Sequence, residues 1–241
     1  MKGIYYHITQ SVSEGKKSLA VLIDPDKMTV QNVPGFIENV NNSIITFIFV
    51  GGSTVETEAT HILVSEIKKH TSLPVVLFPG DVTQISEAAD ALLFLSLISG
   101  DNPEYLIGKH IKAVPKLMHS DLETIPTGYI LIENGKQTTV EKVTETKPIP
   151  RENKELIMHT SKAAELLGMQ LIYLEAGSGA LHPVPLETIR LVKQNLNIPL
   201  IVGGGIRSKQ QLNNAFEAGA DIVVIGTAFE TNEAFFEELK P

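Results

Sequence analysis

Eight short aliphatic runs punctuate this chain, at residues 18–23, 45–50, 75–78, 91–95, 128–132, 171–174, 200–202 and 222–225. Runs without polar alternation suit strands buried on both faces, as in a parallel sheet covered by helices. Several spacers read as helices. Residues 58–69 gather Ile62, Leu63, Val64 and Ile67, and 186–194 carry Ile189, Leu191 and Val192. Residues 151–167 form the longest such stretch and 209–218 a shorter one. Eight strands with helical spacers predict an α/β fold, a single (β/α)8 TIM-type barrel domain over residues 1–241, with an open doubly wound sheet as competitor.

An internal repeat favours the barrel. Gly52, Ser53, Lys68, Pro74 and Gly80 recur 125 positions later as Gly177, Ser178, Lys193, Pro199 and Gly205. Ala89-Asp90 similarly resembles Ala220-Asp221 after a small insertion. Strands two to four thus echo strands six to eight, as two fused half-barrels would. The rhythm is uneven twice. Residues 79–90 are short for a full helix with its loops. Residues 134–150 are polar, rich in Thr and Lys, and lack an apolar face. They are expected outside the core, as a lid, an oligomer contact or a surface loop whose shortening leaves stability unchanged.

Composition removes several function classes. With Cys 0 there is no disulfide scaffold, thiolate metal site or cysteine nucleophile, and a reducing, cytoplasmic setting is expected. A net charge of −8 without a basic block argues against nucleic acid as a partner. Residues 1–10 have no apolar signal core, and the longest apolar run, 91–98, is interrupted by Ser96 and far short of the roughly 20 residues a membrane span needs. The seven histidines show no metal-ligand spacing.

In such barrels chemistry sits where strands end. Three glycine-rich turns close the last three strands: Glu175-Ala176-Gly177-Ser178-Gly179, Gly203-Gly204-Gly205-Ile206-Arg207 and Gly226-Thr227. Clustered turns of this kind can aim backbone N–H groups at one anion, which points to a phosphorylated small molecule. Glycines that merely turn the chain at the rim are the plainer reading. Asp24 and Asp26 flank Pro25 after strand one, and a carboxylate at a buried strand exit needs a cation, donors or a chemical task. Asp24, with Ser53 from the second strand end, suits a Mg2+ ion otherwise held by water and phosphate, although both residues also suit helix caps. Glu175 is the acid beside the cradle and a candidate general base, with Tyr173 on the same face to orient it or simply to fill the barrel.

Taken together, Asp24-Pro25-Asp26-Lys27, Val50-Gly51-Gly52-Ser53-Thr54, Gly108-Lys109-His110, Tyr173-Leu174-Glu175-Ala176-Gly177-Ser178-Gly179, Gly203-Gly204-Gly205-Ile206-Arg207 and Gly226-Thr227 resemble the geranylgeranylglyceryl phosphate synthase family. That family includes the bacterial heptaprenylglyceryl phosphate synthases. The resemblance runs from about Ser18 to the C-terminus and is to the second of the family's two groups, because Ile23 stands where the first group has a basic residue. It implies a modified (β/α)8 barrel and a Mg2+-dependent prenyltransferase that joins sn-glycerol 1-phosphate to a polyprenyl diphosphate, geranylgeranyl above all, as an ether. Carried over by position, Asp24 and Ser53 would bind Mg2+. Tyr173, Leu174, Glu175, Ala176, Gly177, Ser178, Gly179, Gly204, Gly205, Gly226 and Thr227 would bind the glycerol phosphate, with Glu175 as base and Tyr173 beside it in catalysis. A homo-oligomer is expected, and the lipid product implies a transient membrane contact. Two alternatives remain open from the residues alone. One is a phosphosugar isomerase of the histidine-biosynthesis barrel type, with Glu133 as its second acid. The other is a phosphometabolite-binding module without turnover.

Overall fold

The computed structural model describes residues 3–53, 55, 58–231 and 235–240. Thr54, the last residue of the second-strand motif, lies outside them. Eight parallel strands close into a barrel: β1 (Ser18–Ile23), β2 (Phe47–Val50), β3 (Val75–Leu77), β4 (Ala91–Leu97), β5 (Glu123–Leu131), β6 (Leu171–Glu175), β7 (Leu200–Gly203) and β8 (Ile222–Ile225). Strand β1 closes the ring, pairing Ala20 with Phe47 of β2 and Val21 with Ile225 of β8.

Strand periodicity sorts the aliphatic residues into two layers. Ala20, Phe47, Phe49, Val76, Leu93, Leu171, Tyr173, Ile201, Ile222 and Val224 fill the barrel interior. Their neighbours Val21, Ile48, Val50, Leu92, Ile172, Leu174, Val202 and Val223 face outward into the layer packed by the helices. Because successive side chains alternate, the inward positions continue at the C-terminal rim as Asp24, Gly51, Glu175, Gly203 and Gly226. The alternation that buries the core therefore also selects the groups facing the mouth.

The sequence repeat corresponds to a repeated bonding unit. Lys68 pairs with Asp90 at 2.6 Å, and Asp90 Oδ2 accepts the Val75 N–H at 2.7 Å. Lys193 pairs with Asp221 at 2.5 Å, and Asp221 Oδ2 accepts the Leu200 N–H at 2.9 Å. In each half a lysine and an aspartate from successive units brace the first residue of the strand between them.

The helices α2 (Val33–Asn41), α3 (Ala59–His70), α6 (Lys154–Leu166), α7 (Leu186–Asn195) and α8 (Lys209–Ala218) cover the outside, followed by α9 (Thr227–Thr231) and α10 (Phe235–Glu238). None of the helices, among the described residues, is long and apolar enough to cross a membrane. Several expectations need correction. Helix α1 (Ile4–Ser13) plugs the N-terminal end of the barrel with Ile8, and Glu123 at the start of β5 accepts N–H groups of Ile4 and Tyr5 in its first turn. Strand β5 begins at Glu123, because β4 pairs with it from Ala91↔Glu123 to Leu97↔Tyr129; Thr124, Pro126 and Thr127 disguise this half as a loop. In α3, Ile62 points outward and is exposed, unlike Leu63, Val64 and Ile67. Between β3 and β4 there is only a 3-10 turn, Val82–Gln84. After β4 a wide π-helical turn, Glu104–Gly108, leads into α4 (Lys109–Leu117), despite Pro115 within it. Ile107, Ile111, Val114 and Met118 on this stretch are exposed, whereas His110 and Ala113 are buried.

The largest correction concerns residues 134–150. They are built into the structure. Thr138 opens the short helix α5 (Thr139–Thr144) with a capping box to Glu141, and the Thr144 carbonyl accepts a 2.8 Å bond from Asn102 Nδ2. Ile149 adds a parallel bridge beside Ile132, with its N–H donated to Leu131 O and its carbonyl accepting from Glu133. Asn134, Thr138, Thr144, Thr146 and Ile149 are buried. The polar side chains that suggested a solvated loop are used as caps and backbone partners. Ile149→Ala is accordingly expected to lower unfolding free energy by about 2–5 kcal/mol, measurable by denaturant titration; an unchanged midpoint would return this segment to the surface.

Candidate active site

The C-terminal rim encloses an open cavity of about 1280 Å³, lined by the ends of β1, β2, β6, β7 and β8 and roofed by Thr139 and Val140 of α5. Asp24, Ser53, Tyr173, Glu175, Gly177, Ser178, Gly179, Gly204, Gly205, Gly226 and Thr227 all line it. The remaining two of the expected glycerol phosphate group, Leu174 and Ala176, are buried in the outer layer and are not part of its lining.

Glu175 is the central group. Its carboxylate is 6% exposed and accepts the Gly177 N–H on Oε1 at 2.5 Å. Burial pushes its pKa up to about 7, against the opposing pull of the Gly177 N–H and the Tyr173 hydroxyl. A carboxyl at that value exchanges protons near neutrality, as a general base must. The Tyr173 hydroxyl is buried without a well-aligned hydrogen bond, and its pKa is driven up by burial and by the Glu175 charge. It is held beside the acid by packing: the Tyr173 ring lies 5.5 Å from Tyr129 and 5.2 Å from Phe78.

Two glycines make this arrangement possible. A Cβ at Gly203 would fall 2.5 Å from the Tyr173 hydroxyl and 2.8 Å from Glu175 Oε2. At Gly204, with φ +85°, it would fall 2.5 Å from Glu175 Oε1 and 2.7 Å from Gly177 N. The triple glycine therefore makes room for the acid before it meets any ligand. Gly226 differs: a Cβ there would have only ordinary contacts, the nearest being Leu22 O at 3.4 Å.

The same turns leave backbone N–H groups beside the cavity without carbonyl partners among the described residues. The Gly177 N–H is spent on Glu175 and that of Ala176 on Gly203 O. Among the described residues no carbonyl accepts from the N–H groups of Ser178, Gly179, Gly204 or Gly205, and all four residues border the cavity. Ser178 Oγ and Thr227 Oγ1, 3.3 Å apart, join the β6 and β8 turns. Arg207 borders the same space and donates to Ala180 O at 2.8 Å, fixing the β6 turn from the other side.

On the opposite wall, Asp24 Oδ1 accepts the Asp26 N–H at 3.1 Å and Oδ2 lies 3.7 Å from Lys27 Nζ. Gly52 adjoins it, since a Cβ there would sit 2.9 Å from Asp24 Oδ1. No group of three or more acidic, histidine or cysteine ligands that could hold a metal exists among the described residues. A single carboxylate beside a hydroxyl fits only an ion completed by water and phosphate oxygens, as is usual for Mg2+.

A second, apolar cavity of about 850 Å³ opens beside the first. Val82, Ile85, Leu92, Leu93, Leu95 and Ala113 are among its walls, and it shares Gly52, Ser53, Phe78, Tyr129 and Val140 with the polar cavity. It occupies the flank where a full helix between β3 and β4 would otherwise pack. Sequence reading missed this groove, and it missed Asn134 and Gln84. Asn134 is buried and donates to Ala176 O, tying the β5 loop to the β6 cradle. Gln84, 1% exposed, bonds Gly52 O at 2.9 Å and accepts from Gly52 N and Gly80 N at 3.3 Å, clamping the β2 and β3 turns together. Both were camouflaged as ordinary loop polars. Glu133 binds its own loop at Gly135 N and borders an outer surface hollow, away from the cavity lined by Glu175.

Fold and site together define a (β/α)8 barrel whose mouth carries glycine-rich turns, a buried acid and an adjoining apolar groove. The chain belongs to the PcrB family, whose model matches residues 11–240. A geranylgeranylglyceryl phosphate synthase of Zunongwangia profunda is 59% identical over 218 residues, covering 90% of this chain and 93% of that protein. One from Pyrococcus abyssi is 43% identical over 96% of this chain and 91% of its own length. The crystal structure of (S)-3-O-geranylgeranylglyceryl phosphate synthase from Thermoplasma acidophilum, in complex with the substrate sn-glycerol-1-phosphate, superposes with a TM-score of 0.93 at 35% identity, covering 100% of this chain and 97% of the other.

Two outcomes check this geometry. Because its folded pKa is raised, Glu175 carries more proton in the folded than in the unfolded chain, so its penalty on stability appears as pH rises above the ordinary glutamate value near 4.5 and is complete above about 7. Glu175→Gln should therefore raise Tm by a few degrees at pH 8 and by progressively less toward pH 5; an equal effect at both would contradict the burial. Gly226→Ala should leave Tm within about 2 °C of the parent, as expected for a change costing under ~0.5 kcal/mol, whereas Gly204→Ala should lower it markedly, in the same thermal scan.

Proposed function

We propose that the protein joins sn-glycerol 1-phosphate to a polyprenyl diphosphate, geranylgeranyl diphosphate in particular, forming an ether and releasing diphosphate. The observation that carries this reading is the junction of the two cavities, which lets a phosphorylated alcohol and a long apolar chain meet at Ser53, Phe78 and Tyr129 within reach of a buried base. The names of the relatives agree with it. An isomerase acting on a phosphosugar has no use for the apolar groove, and its second acid, Glu133, faces away from Glu175.

In this reading the turns of β6, β7 and β8 hold the glycerol phosphate through the N–H groups of Ser178, Gly179, Gly204 and Gly205, with Gly177, Gly226 and Thr227 shaping the cradle. The bound hydroxyl then points to Glu175 and the prenyl chain lies in the groove. As the allylic C–O bond breaks, its electron pair leaves with the diphosphate. The glycerol oxygen bonds the allylic carbon, and its proton passes to a Glu175 carboxylate oxygen. Phe78 and Tyr129, at the junction, offer ring faces to the positive charge developing on the allylic fragment. Asp24 and Ser53 are the residues that would hold Mg2+, which when bound neutralises charge developing on the leaving diphosphate. Tyr173 keeps the acid in place and limits its solvation. We place this chemistry in the cytoplasm, in a homo-oligomer that meets a membrane only to take up donor and release product.

The test is direct: incubation with Mg2+, glycerol 1-phosphate and prenyl diphosphates of several lengths, with mass spectrometry of the lipid extract, should reveal the ether. Glu175→Gln should lower kcat by about 10²–10⁴ while glycerol phosphate still binds, and Asp24→Asn should cut turnover and blunt the response to Mg2+. Full turnover in Glu175→Gln would remove the base from β6, and an unchanged Mg2+ titration in Asp24→Asn would remove the metal from β1.

A further inference from the structure

The motif Gly108-Lys109-His110 has no task in the account so far, yet α4 begins with it and walls the apolar groove. Lys109 is 22% exposed and lines that groove, although most of its neighbours there are apolar. Its ammonium is bonded to Asp81 and lies 5.0 Å above the Tyr105 ring. The other lysines of the helix are engaged elsewhere. Lys112 pairs with Glu104 at 2.6 Å, and Lys116 donates to Val82 O at 3.2 Å. A cation on an apolar wall, held by a single carboxylate, implies a purpose that an aliphatic chain alone would not require.

The position of the pair indicates that purpose. Gly80, next to Asp81, packs on the Ser53 turn so closely that a Cβ would fall 2.5 Å from Gly52 O and 3.1 Å from Ser53 Cα. The Asp81–Lys109 pair therefore stands beside the junction of the two cavities, and Asp24–Lys27 lines the polar cavity that the Ser53 turn also borders. The internal repeat adds an independent argument. Gly52, Ser53 and Gly80 are the first-half counterparts of Gly177, Ser178 and Gly205, which line the anion cradle of the second half. The first half thus has its own pair of turns at the equivalent rim, with a lysine in place of free N–H groups.

We propose that Lys109 is a substrate-binding residue for the diphosphate of the prenyl donor, exchanging its Asp81 partner for phosphate oxygens when the donor enters; this rests on the prenyl transfer proposed above. Asp81 is suited to the exchange. It is 39% exposed, so water receives it when the lysine leaves, and its Oδ1 stays occupied by the Thr83 N–H at 3.1 Å, which keeps the turn folded. Burial pushes its carboxyl up, but the Lys109 ammonium and the Thr83 N–H outweigh that and hold it below the ordinary aspartate value. At neutral pH it is thus a charged competitor for the lysine, and the donor's diphosphate, with more negative charge and more acceptor oxygens, displaces it.

The experiment uses inorganic pyrophosphate as the probe, by isothermal titration with and without Mg2+ on the full chain. Lys109→Gln should weaken pyrophosphate binding about 10- to 100-fold, and Lys109→Arg should restore it to within a few-fold. Asp81→Asn, which keeps the Thr83 bond and removes the competing charge, should tighten it severalfold. In steady-state assays Lys109→Gln should raise KM for the prenyl diphosphate and leave KM for glycerol 1-phosphate unchanged. A merely structural ion pair would make Lys109→Gln and Asp81→Asn shift pyrophosphate binding in the same direction, and that result overturns the proposal. So does parental pyrophosphate affinity in Lys109→Gln, even if the parent forms the ether. Lys109-dependent pyrophosphate binding in a parent that forms no ether would instead keep the anion site and refute the transfer reaction.

Discussion

At the end of β6 a carboxylate, a tyrosine and two glycines share a space too small for any further carbon. Glu175 and Tyr173 can occupy the barrel mouth only because Gly203 and Gly204 carry no side chains. That packing excludes water from the acid, which raises its pKa to about 7, and it brings the β6 and β7 turns close enough to form one cradle. The same contact thus sets the proton affinity of Glu175 and the shape of the cavity wall. The cost is a carboxylate destabilised near neutral pH, a trade common at catalytic centres.

A second constraint is the shortness of the β3–β4 connection. A full helix there would complete the outer layer. The three-residue turn instead leaves a flank that α4 and α5 enclose with aliphatic and aromatic side chains, at the distance of one strand from the polar mouth. The resulting division places the glycine-rich turns and Glu175 on the β6–β8 side and the apolar surface on the β3–β5 side, where the Asp81–Lys109 pair is the charged exception. Among the described residues, the two cavities of opposite character share only Gly52, Ser53, Phe78, Tyr129 and Val140 in their linings.

Legibility followed the physics of each signal. Strands buried on both faces leave unbroken aliphatic runs, so all eight were visible, and where β5 carries Thr124, Pro126 and Thr127 its first half was not. That the glycine-rich turns would share one cavity was visible, because they close three consecutive strands that the barrel brings side by side. Asn134 and Gln84 were not, since a buried amide that bonds backbone is indistinguishable by type from a solvated one. Residues 134–150 misled for the same reason: Thr138 caps a helix and Thr144 bonds Thr146, so polarity there reports satisfied hydrogen bonds rather than solvent. The apolar groove left no motif at all. It arises from a missing helix, and its walls come from six separate stretches of chain.

The repeat ties these observations together. Lys68–Asp90 and Lys193–Asp221 perform the same bracing in the two halves, whereas the turns above them have diverged. In the second half Gly177, Gly179, Gly204 and Gly205 adopt left-handed backbone conformations; the Gly177 N–H serves Glu175, and the N–H groups of the other three have no carbonyl partner among the described residues. In the first half Gly52 and Gly80 have ordinary backbone angles, Gln84 satisfies their N–H groups, and charged side chains border the same rim. A backbone cradle suits a phosphate that must be held at one fixed distance from a base. A rim of exchangeable ion pairs suits a diphosphate that must bind, gain charge as its bond breaks, and leave. The repeated bracing below and the diverged turns above thus give the two halves of the rim different chemistry, fixed backbone groups in one and paired charges in the other.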